Sequence, residues 1–449
     1  MNWCGNSQVC EALQSLLRAS LLIVFLANLT QVFLGVLLRL RRSHSKTTNR
    51  SSRVLIVANR IGEFNGETGG GSIFRQRLFE LLSSSLYSVT CLAIGRANVN
   101  YSESVRGPLM SPSIRNLVVT AQLVSEHDLV IISGSWSFLN VFAVYMGLLC
   151  GTPCITFVTM NSRTAVDANF SGSMWYLSYL LYMASDYFNC WFSMGAWTRS
   201  AEYLRTLSAQ GIPVQGVVYC GDQYKTFQNQ DSDNDIFEAR QILSGGQPHR
   251  PVLLYCGRLL PEKRIPLLVA AKPEGVSLAI VGTGSEAESL RRIHDPSKGI
   301  VCLVDGMVSQ ENLRKFYKAA DIHVSASDFE TLGNTVHEAL LCGCPVVVQR
   351  AGGYVSQVAD GRNGYLVNWS NIEETRAAIS RVLRKDLTDI KPLHRVTSDV
   401  QEIVKLHISM PVHLVKRIAA LLVAWPSVFL LWFLSLIYDA RAAHKQNEV

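Results

Sequence analysis

The sequence predicts an α/β protein: two similar domains facing a cleft, with a membrane helix at each end. Three observations point there. Short apolar runs alternate with longer amphipathic ones between residues 53 and 385, with one interruption at 229–250. That rhythm suits parallel strands covered by helices on both faces. The length of 449 residues is too great for one ordinary core and sufficient for two. Part of the 48% hydrophobic content is confined to the two ends.

The elements follow in order. After a tail at 1–18, the block ASLLIVFLANLTQVFLGVLL at 19–38 is long enough to cross a bilayer, although Asn28, Thr30 and Gln31 interrupt it. A basic linker, 39–52, comes next. The first domain is assigned to 53–228. RVLIVA (53–58) reads as a buried strand and GETGGGS as a glycine-rich loop; IFRQRLFELLSSSL (73–86) reads as a helix. Further strands are expected at 89–94, 127–133, 153–158 and 188–193, the last being FNCWFS. The polar stretch 229–250 reads as an interdomain linker with room for a short helix. The second domain, 251–400, restarts the alternation. Its strands are expected at 251–257, 277–282, 300–306, 321–326 and 345–350, and its helices at 309–320, 331–343 and 372–385. A membrane segment, 412–438, precedes a tail at 439–449. Its run IAALLVAWPSVFLLWFLSLI carries no charge and is apolar on every side, so it inserts rather than lies flat.

Charge sets the orientation. Arg39, Arg41, Arg42, Lys46, Arg50 and Arg53 follow the first block, and Lys416 and Arg417 precede the last. Positive flanks stay in the cytosol, so both domains face it. A cleaved signal peptide would carry its basic residues before the apolar run. Two readings of the basic stretch are open, topology determinants and attraction to anionic headgroups. The net charge of +7 comes without an aromatic-interleaved basic run or zinc-finger spacing, so nucleic acid is not an expected partner. Eleven scattered cysteines include no C-x-x-C pair, which fits a reducing compartment without a disulfide framework. The Asp231, Asp233, Asp235 triplet has metal-binding spacing but lies in the polar stretch, and no metal site is expected.

The chemistry concentrates in SDFETLGNTVHEALLCGCPVV, 327–347. With Thr331 taken as the start of a helix, the N–H groups of Thr331, Leu332 and Gly333 face the carboxyl edge of the preceding strand, where they suit an anion. Gly333 admits close approach. Glu330 and Glu338 are then about 12 Å apart along the helix and roughly 80° around it, too far to share a proton. They suit two hydroxyl-bearing parts of one long ligand, or else one helix-dipole partner and one solvated acid. Upstream, LLYCGRLLPEKRIPLLV (253–269) places Arg258 and Lys263 just after a strand, a planar fork and a mobile point charge for phosphate. VGTGSEAESL (281–290) lacks the dinucleotide fingerprint, and Gly69, Gly70 and Gly71 lack the Walker lysine. That N-terminal glycine loop reads equally as a cradle for phosphate or acceptor and as a flexible loop.

Taken in order, the run G-R-x4-K at 257–263, VGTG at 281–284, E-x7-E at 330–338, GCPVV at 343–347 and AGG at 351–353 resembles the donor-binding domain of family-4 retaining glycosyltransferases, which have the GT-B fold of two Rossmann-like domains. YCGDQYKTF (219–227) resembles the motif that precedes the domain junction there. The Ser-x-x-Glu-Thr-Leu-Gly run and Arg-Ala-Gly-Gly at 350–353 are similar to the plant and algal sulfoquinovosyltransferases, which move sulfoquinovose from a UDP-sugar to diacylglycerol. Related transferases of phosphatidylinositol and of polyprenyl-linked glycans share much of this pattern. The resemblance implies that Arg258 and Lys263 neutralise the leaving diphosphate, that Glu330 holds the transferred sugar and that Glu338 holds the ribose. It also places Gly257, Gly282 and the N–H groups of residues 331–333 against the donor. It implies a nucleotide-sugar donor, a lipid acceptor, no metal and no cofactor. The compartment implied is the endoplasmic reticulum, or a plastid envelope for a true sulfoquinovosyltransferase. One departure stands out: after PCITFV the family often has a histidine, whereas this chain continues Thr159, Met160, Asn161. A catalytically weak membrane scaffold of the same fold is the competing expectation.

Overall fold

The computed structural model describes residues 51–58, 70–85, 87–93, 105–106, 113–134, 137–159, 166, 173–218, 221–304, 306, 308–393, 400–412, 428 and 431. The expected membrane helix at 19–38, the loop glycine Gly69, Asn161 and nearly all of the terminal apolar segment lie outside them. Among the described residues no helix is long and apolar enough to cross a membrane.

The first domain is built from β1 (Ser52–Ala58), α1 (Gly70–Ser83), β2 (Tyr87–Ala93), β3 (Val105–Arg106), α2 (Ile114–Glu126), β4 (Leu129–Ser133), α3 (Phe138–Cys150), β5 (Cys154–Val158), α4 (Ser173–Phe192), β6 (Gly195–Thr198), α5 (Ala201–Ala209) and β7 (Gly216–Val217). Its seven strands are all parallel in the order β3-β2-β1-β4-β5-β6-β7. The central strands are buried on both faces, which explains their unbroken apolar runs. The expected strand FNCWFS is instead the last turn and a half of α4, and the strand follows at 195–198. A short apolar run has no periodicity to separate strand from buried helix, and the helical pattern before it simply continues. Gly70 and Gly71 open α1 rather than a loop.

A 3-10 helix, Gly221–Gln228, leads into the second domain. There follow α6 (Asp233–Ser244), β8 (Val252–Cys256), α7 (Ile265–Ala271), β9 (Ser277–Val281), α8 (Ala287–Ile293), β10 (Ile300–Leu303), α9 (Gln310–Ala319), β11 (Ile322–Ser325), α10 (Asn334–Leu341), β12 (Val346–Gln349), β13 (Gly364–Val367) and α11 (Ile372–Leu383). The six strands are parallel in the order β10-β9-β8-β11-β12-β13. The stretch expected as a linker is thus a working part of this domain. Ser232 and Asp235 form a capping box at the start of α6. Ala239 and Leu243 enter the core beside Phe316 and Tyr317. Asp231 accepts two bonds from the Arg314 guanidinium, at 2.8 and 2.5 Å, and one from Lys318 at 2.8 Å. Arg314 holds the Asp231 carboxyl well below the usual carboxylate range. Its charge therefore anchors α9.

The last described helix, α12 (Val400–Ile408), returns to the first domain. Val400, Ile403 and Val404 pack with Val54, Ile56 and Phe74, and the His407 ring meets Trp197 edge-on at 5.2 Å. The second domain therefore ends before residue 400. Val428 and Leu431, from the expected membrane segment, are buried against α3 and α4.

Candidate active site

In an open parallel sheet the strand order reverses at one point, and the loops leaving the two strands there splay apart into a crevice. In the second sheet that point lies between β8 and β11. The loop after β8 carries Arg258 and Lys263, and the loop after β11 carries Glu330. The topology brings to one crevice three residues that the sequence separates by about seventy positions.

The side chains meet there. The Lys263 ammonium donates to a Glu330 carboxylate oxygen and lies 3.4 Å from the Ser327 hydroxyl. Lys263 is buried and the Glu330 side chain is 23% exposed, so the pair is only partly screened by water. Next to it, Arg264 pairs with Asp328 at 2.5 Å and donates to the Ser370 hydroxyl at 2.7 Å. Two adjacent ion pairs thus stitch the β8 loop to the β11 loop. Arg264 has a left-handed backbone, φ 54°, uncommon for a residue other than glycine. Arg258 is more open. Its guanidinium, 41% exposed, lies 3.4 Å from Glu262, and its carbonyl accepts the Tyr255 hydroxyl at 2.8 Å. Burial pushes the Tyr255 phenol well up, and the Glu330 charge adds to the rise while Arg258 opposes it.

The β11 loop differs from expectation in one respect. Thr331 does not begin the helix; α10 starts at Asn334. Gly333, at φ 78°, precedes it in the left-handed region, which an α-helical residue cannot adopt. The helix tip consequently lies at Asn334 and Thr335, while Thr331 and Leu332 form a bend before it. That bend is clamped from behind. The Gly353 N–H donates to the Glu330 carbonyl at 2.7 Å, and a Cβ on Gly353 would stand 2.6 Å from the carbonyl oxygens of both Thr331 and Leu332. A Cβ on Gly333 would stand 2.4 Å from the Tyr354 ring. Tyr354 in turn shares a 2.8 Å hydrogen bond with Ser325 at the end of β11.

Glu338 faces inward. It is buried under the end of β8, and the Tyr317 hydroxyl donates to it at 3.1 Å. Burial pushes its carboxyl up to about 7, and the Tyr317 bond pulls in the opposite direction. Its neighbour His337, buried against the Tyr224 ring at 4.4 Å, is pushed down to about 4 and is neutral at pH 7. Gly257 and Gly282 back onto each other: a Cβ on Gly282 would lie 1.8 Å from the Gly257 carbonyl oxygen. Gly70 and Gly71 belong to the first domain, in the first turn of α1. Thr159 follows β5 and is buried. Among the described residues no group of three or more His, Cys, Asp or Glu side chains is placed to hold a metal ion.

Sequence reasoning missed Tyr255, Ser327 and Tyr354. Nothing in their spacing distinguishes them from core residues, because they matter only through the folded proximity of β8, β11 and the 352–356 turn.

Arranged in this way, the crevice offers cations at a strand edge, the Glu330 carboxylate and a helix tip. Comparison with known proteins identifies the family and the fold. Residues 241–398 match the family described as "Glycosyl transferases group 1". A sulfoquinovosyl transferase of Arabidopsis thaliana is 32% identical over 152 residues, which is 32% of this chain and 29% of that protein. A GDP-mannose-dependent phosphatidylinositol monomannoside mannosyltransferase of Mycolicibacterium smegmatis is 32% identical over 154 residues, 31% of this chain and 40% of that one. The chain thus spans about a third of the length of the curated relatives it matches. The crystal structure of Anabaena HepE with UDP-glucose superposes with a TM-score of 0.56 at 16% identity, covering 82% of this chain and 98% of HepE. That likeness shows the two-domain fold.

Proposed function

We propose that this chain, whose residues 241–398 form a group 1 glycosyl transferase domain, is a membrane-bound enzyme that moves a hexose-type sugar from a nucleotide-sugar to a lipid. The donor is a UDP-sugar, and the reaction retains anomeric configuration without a metal ion. The observation that carries the reading is the Lys263–Glu330 pair beside Arg258 at the switch point of the second sheet.

The chemistry follows from those groups. As the bond between sugar and diphosphate breaks, negative charge grows on the diphosphate, and Arg258 and Lys263 stabilise it with charges already in place. Glu330, displaced from Lys263 by the diphosphate, accepts hydroxyl hydrogens of the transferred sugar. Glu338, buried here behind the Tyr317 hydroxyl, accepts those of the ribose once the donor exposes it. The sugar passes through an oxocarbenium-like state, and the acceptor hydroxyl attacks from the face the diphosphate leaves. Its proton passes to a leaving phosphate oxygen. Two apolar terminal blocks suit an acceptor that stays in the bilayer, with both domains in the cytosol. Diacylglycerol and sulfoquinovose are the first pair to try, with phosphatidylinositol or a polyprenyl-linked glycan as the next acceptors. The stretch Thr159–Asn161, which lacks the histidine the family often has there, favours the rival reading of a weakly active scaffold.

The test supplies membranes containing the full chain with labelled UDP-sugars and lipid extract. Wild type should give labelled lipid, and Glu330→Ala none. Lys263→Ala should weaken UDP-sugar binding by roughly 10- to 100-fold, the size of one charge-assisted hydrogen bond. Wild-type membranes that neither bind a nucleotide-sugar nor form product would establish the scaffold instead.

A further inference from the structure

Helix α4 is built inside out. It runs for 20 residues with one charged side chain, Asp186. Its polar residues Ser178, Ser185, Asp186 and Asn189 are buried. Its exposed residues are large and apolar: Tyr176 is 73% exposed, Leu180 59% and Trp191 64%. Spacings of four and eleven residues keep these three within about 60° of arc along about 22 Å of helix, which makes a stripe rather than a scatter. A surface helix facing water has the reverse arrangement. Helix α2 adds Ile114 and Val118, exposed and one turn apart. Both helices pack in one cluster with α3, so they cover the same face of the first sheet. As crossovers between parallel strands, both begin at the sheet's carboxyl edge, the edge that bears ligands in this architecture.

Two features on that face select lipid over a protein partner. Six of the twenty residues of α4 are Trp or Tyr, the side chains that settle where hydrocarbon meets headgroup. In addition, Val428 and Leu431 are buried in the same cluster as Leu181 and Phe188. They belong to the uncharged run 418–437, long enough to reach across the hydrocarbon core. Two residues of that apolar run therefore sit beside α4, so a lipid surface that attracts the run is brought to the helix. Helix α4 does not itself qualify to cross, so it lies along the surface.

We infer that the Tyr176–Leu180–Trp191 stripe, extended by Ile114 and Val118, docks on the lipid surface and holds the first domain's side of the cleft at the headgroup level. The inference deepens the lipid-acceptor reading above and rests on it for the purpose of the docking, though not for the docking itself.

The full chain, reconstituted in phosphatidylcholine vesicles, carries a fluorescent probe on Leu180→Cys, or on Phe237→Cys, an exposed position of the second domain. Lipids brominated in the acyl chain should quench the probe at 180 and leave the one at 237 bright. Equal, weak quenching at both sites overturns the inference and leaves a protein partner as the occupant. The double variant Leu180→Glu, Trp191→Glu gives the second readout. Transfer to an acceptor embedded in vesicles should fall by about tenfold or more, while transfer to a short-chain acceptor in detergent is unchanged. Unchanged transfer in vesicles overturns the inference as well. If neither acceptor is glycosylated but position 180 is quenched, docking stands and the lipid-transfer reading falls.

Discussion

Glu338 combines an acidic side chain with a buried seat, and the two make its titration visible. Burial raises its carboxyl from 4.5 to about 7. The folded state therefore keeps a proton that the unfolded chain gives up, and stability falls as pH rises from about 4.5, with the loss complete above about 7. A rise of that size corresponds to about 3 kcal/mol at most. Two buried histidines act with the opposite sign. His323 and His337 are lowered from 6.5 to about 4 by burial. The unfolded chain takes protons these rings refuse, so stability falls as pH drops from about 6.5 toward 4. The windows overlap, and only a difference between variants isolates the acid. Glu338→Gln should gain on wild type by up to about 3 kcal/mol between pH 4.5 and 8, read as the gap between denaturant midpoints. A gap that stays constant over that range would show that this carboxyl does not titrate in the core. The sequence pairs Glu330 with Glu338 by motif, yet their environments differ. One is bound to a lysine at the crevice and the other lies under a strand, and the eight-residue spacing contains no sign of that burial.

At the scale of elements, the parallel strands were legible because burial on both faces leaves unbroken apolar runs, as in β4 and β5. Helix ends were less so. In α4 the aromatic run masks the boundary. In α10 the stop signal is Gly333, which reads as a residue permitting close approach but acts as the left-handed joint before the helix. The β11 loop, in turn, takes its shape from the 352–356 turn behind it. Gly353→Ala would drive a methyl into two carbonyl oxygens at 2.6 Å, both in the backbone and unable to give way cheaply. The loop must shift, taking Glu330 away from Lys263. This variant should lose about 1–3 kcal/mol of stability and bind UDP-sugar more weakly. Gly306→Ala, where a Cβ meets nothing within 4 Å, should do neither. Equal donor affinity in the two variants, measured by calorimetry, would show that the clamp does not set the position of Glu330.

Across the whole molecule, the chain crosses between domains twice, once through the 3-10 helix at 221–228 and once on the way to α12. The second crossing could not be read from the sequence: VQEIVKLHI has an ordinary amphipathic pattern, and which of two cores receives its apolar face is decided by tertiary packing alone. In the fold, Val400 and Val404 are fully buried among Val54, Ile56 and Phe74, while Leu406 on the same helix is 57% exposed. The first domain is thus closed by residues that follow the second, so its stability depends on a segment synthesised after both sheets. Val404→Asp puts an unpaired carboxylate where β1 and α1 meet, at a cost of several kcal/mol unless the group stays protonated. Leu406→Asp, two residues away, places the same charge in water and should cost less than about 0.5 kcal/mol. The expected result is hydrogen exchange in β1, β4 and α1 accelerated by Val404→Asp but not by Leu406→Asp, with β8, β9 and β11 protected in both variants. Faster exchange in the second sheet as well would mean that the two domains unfold as one cooperative unit and that α12 closes both.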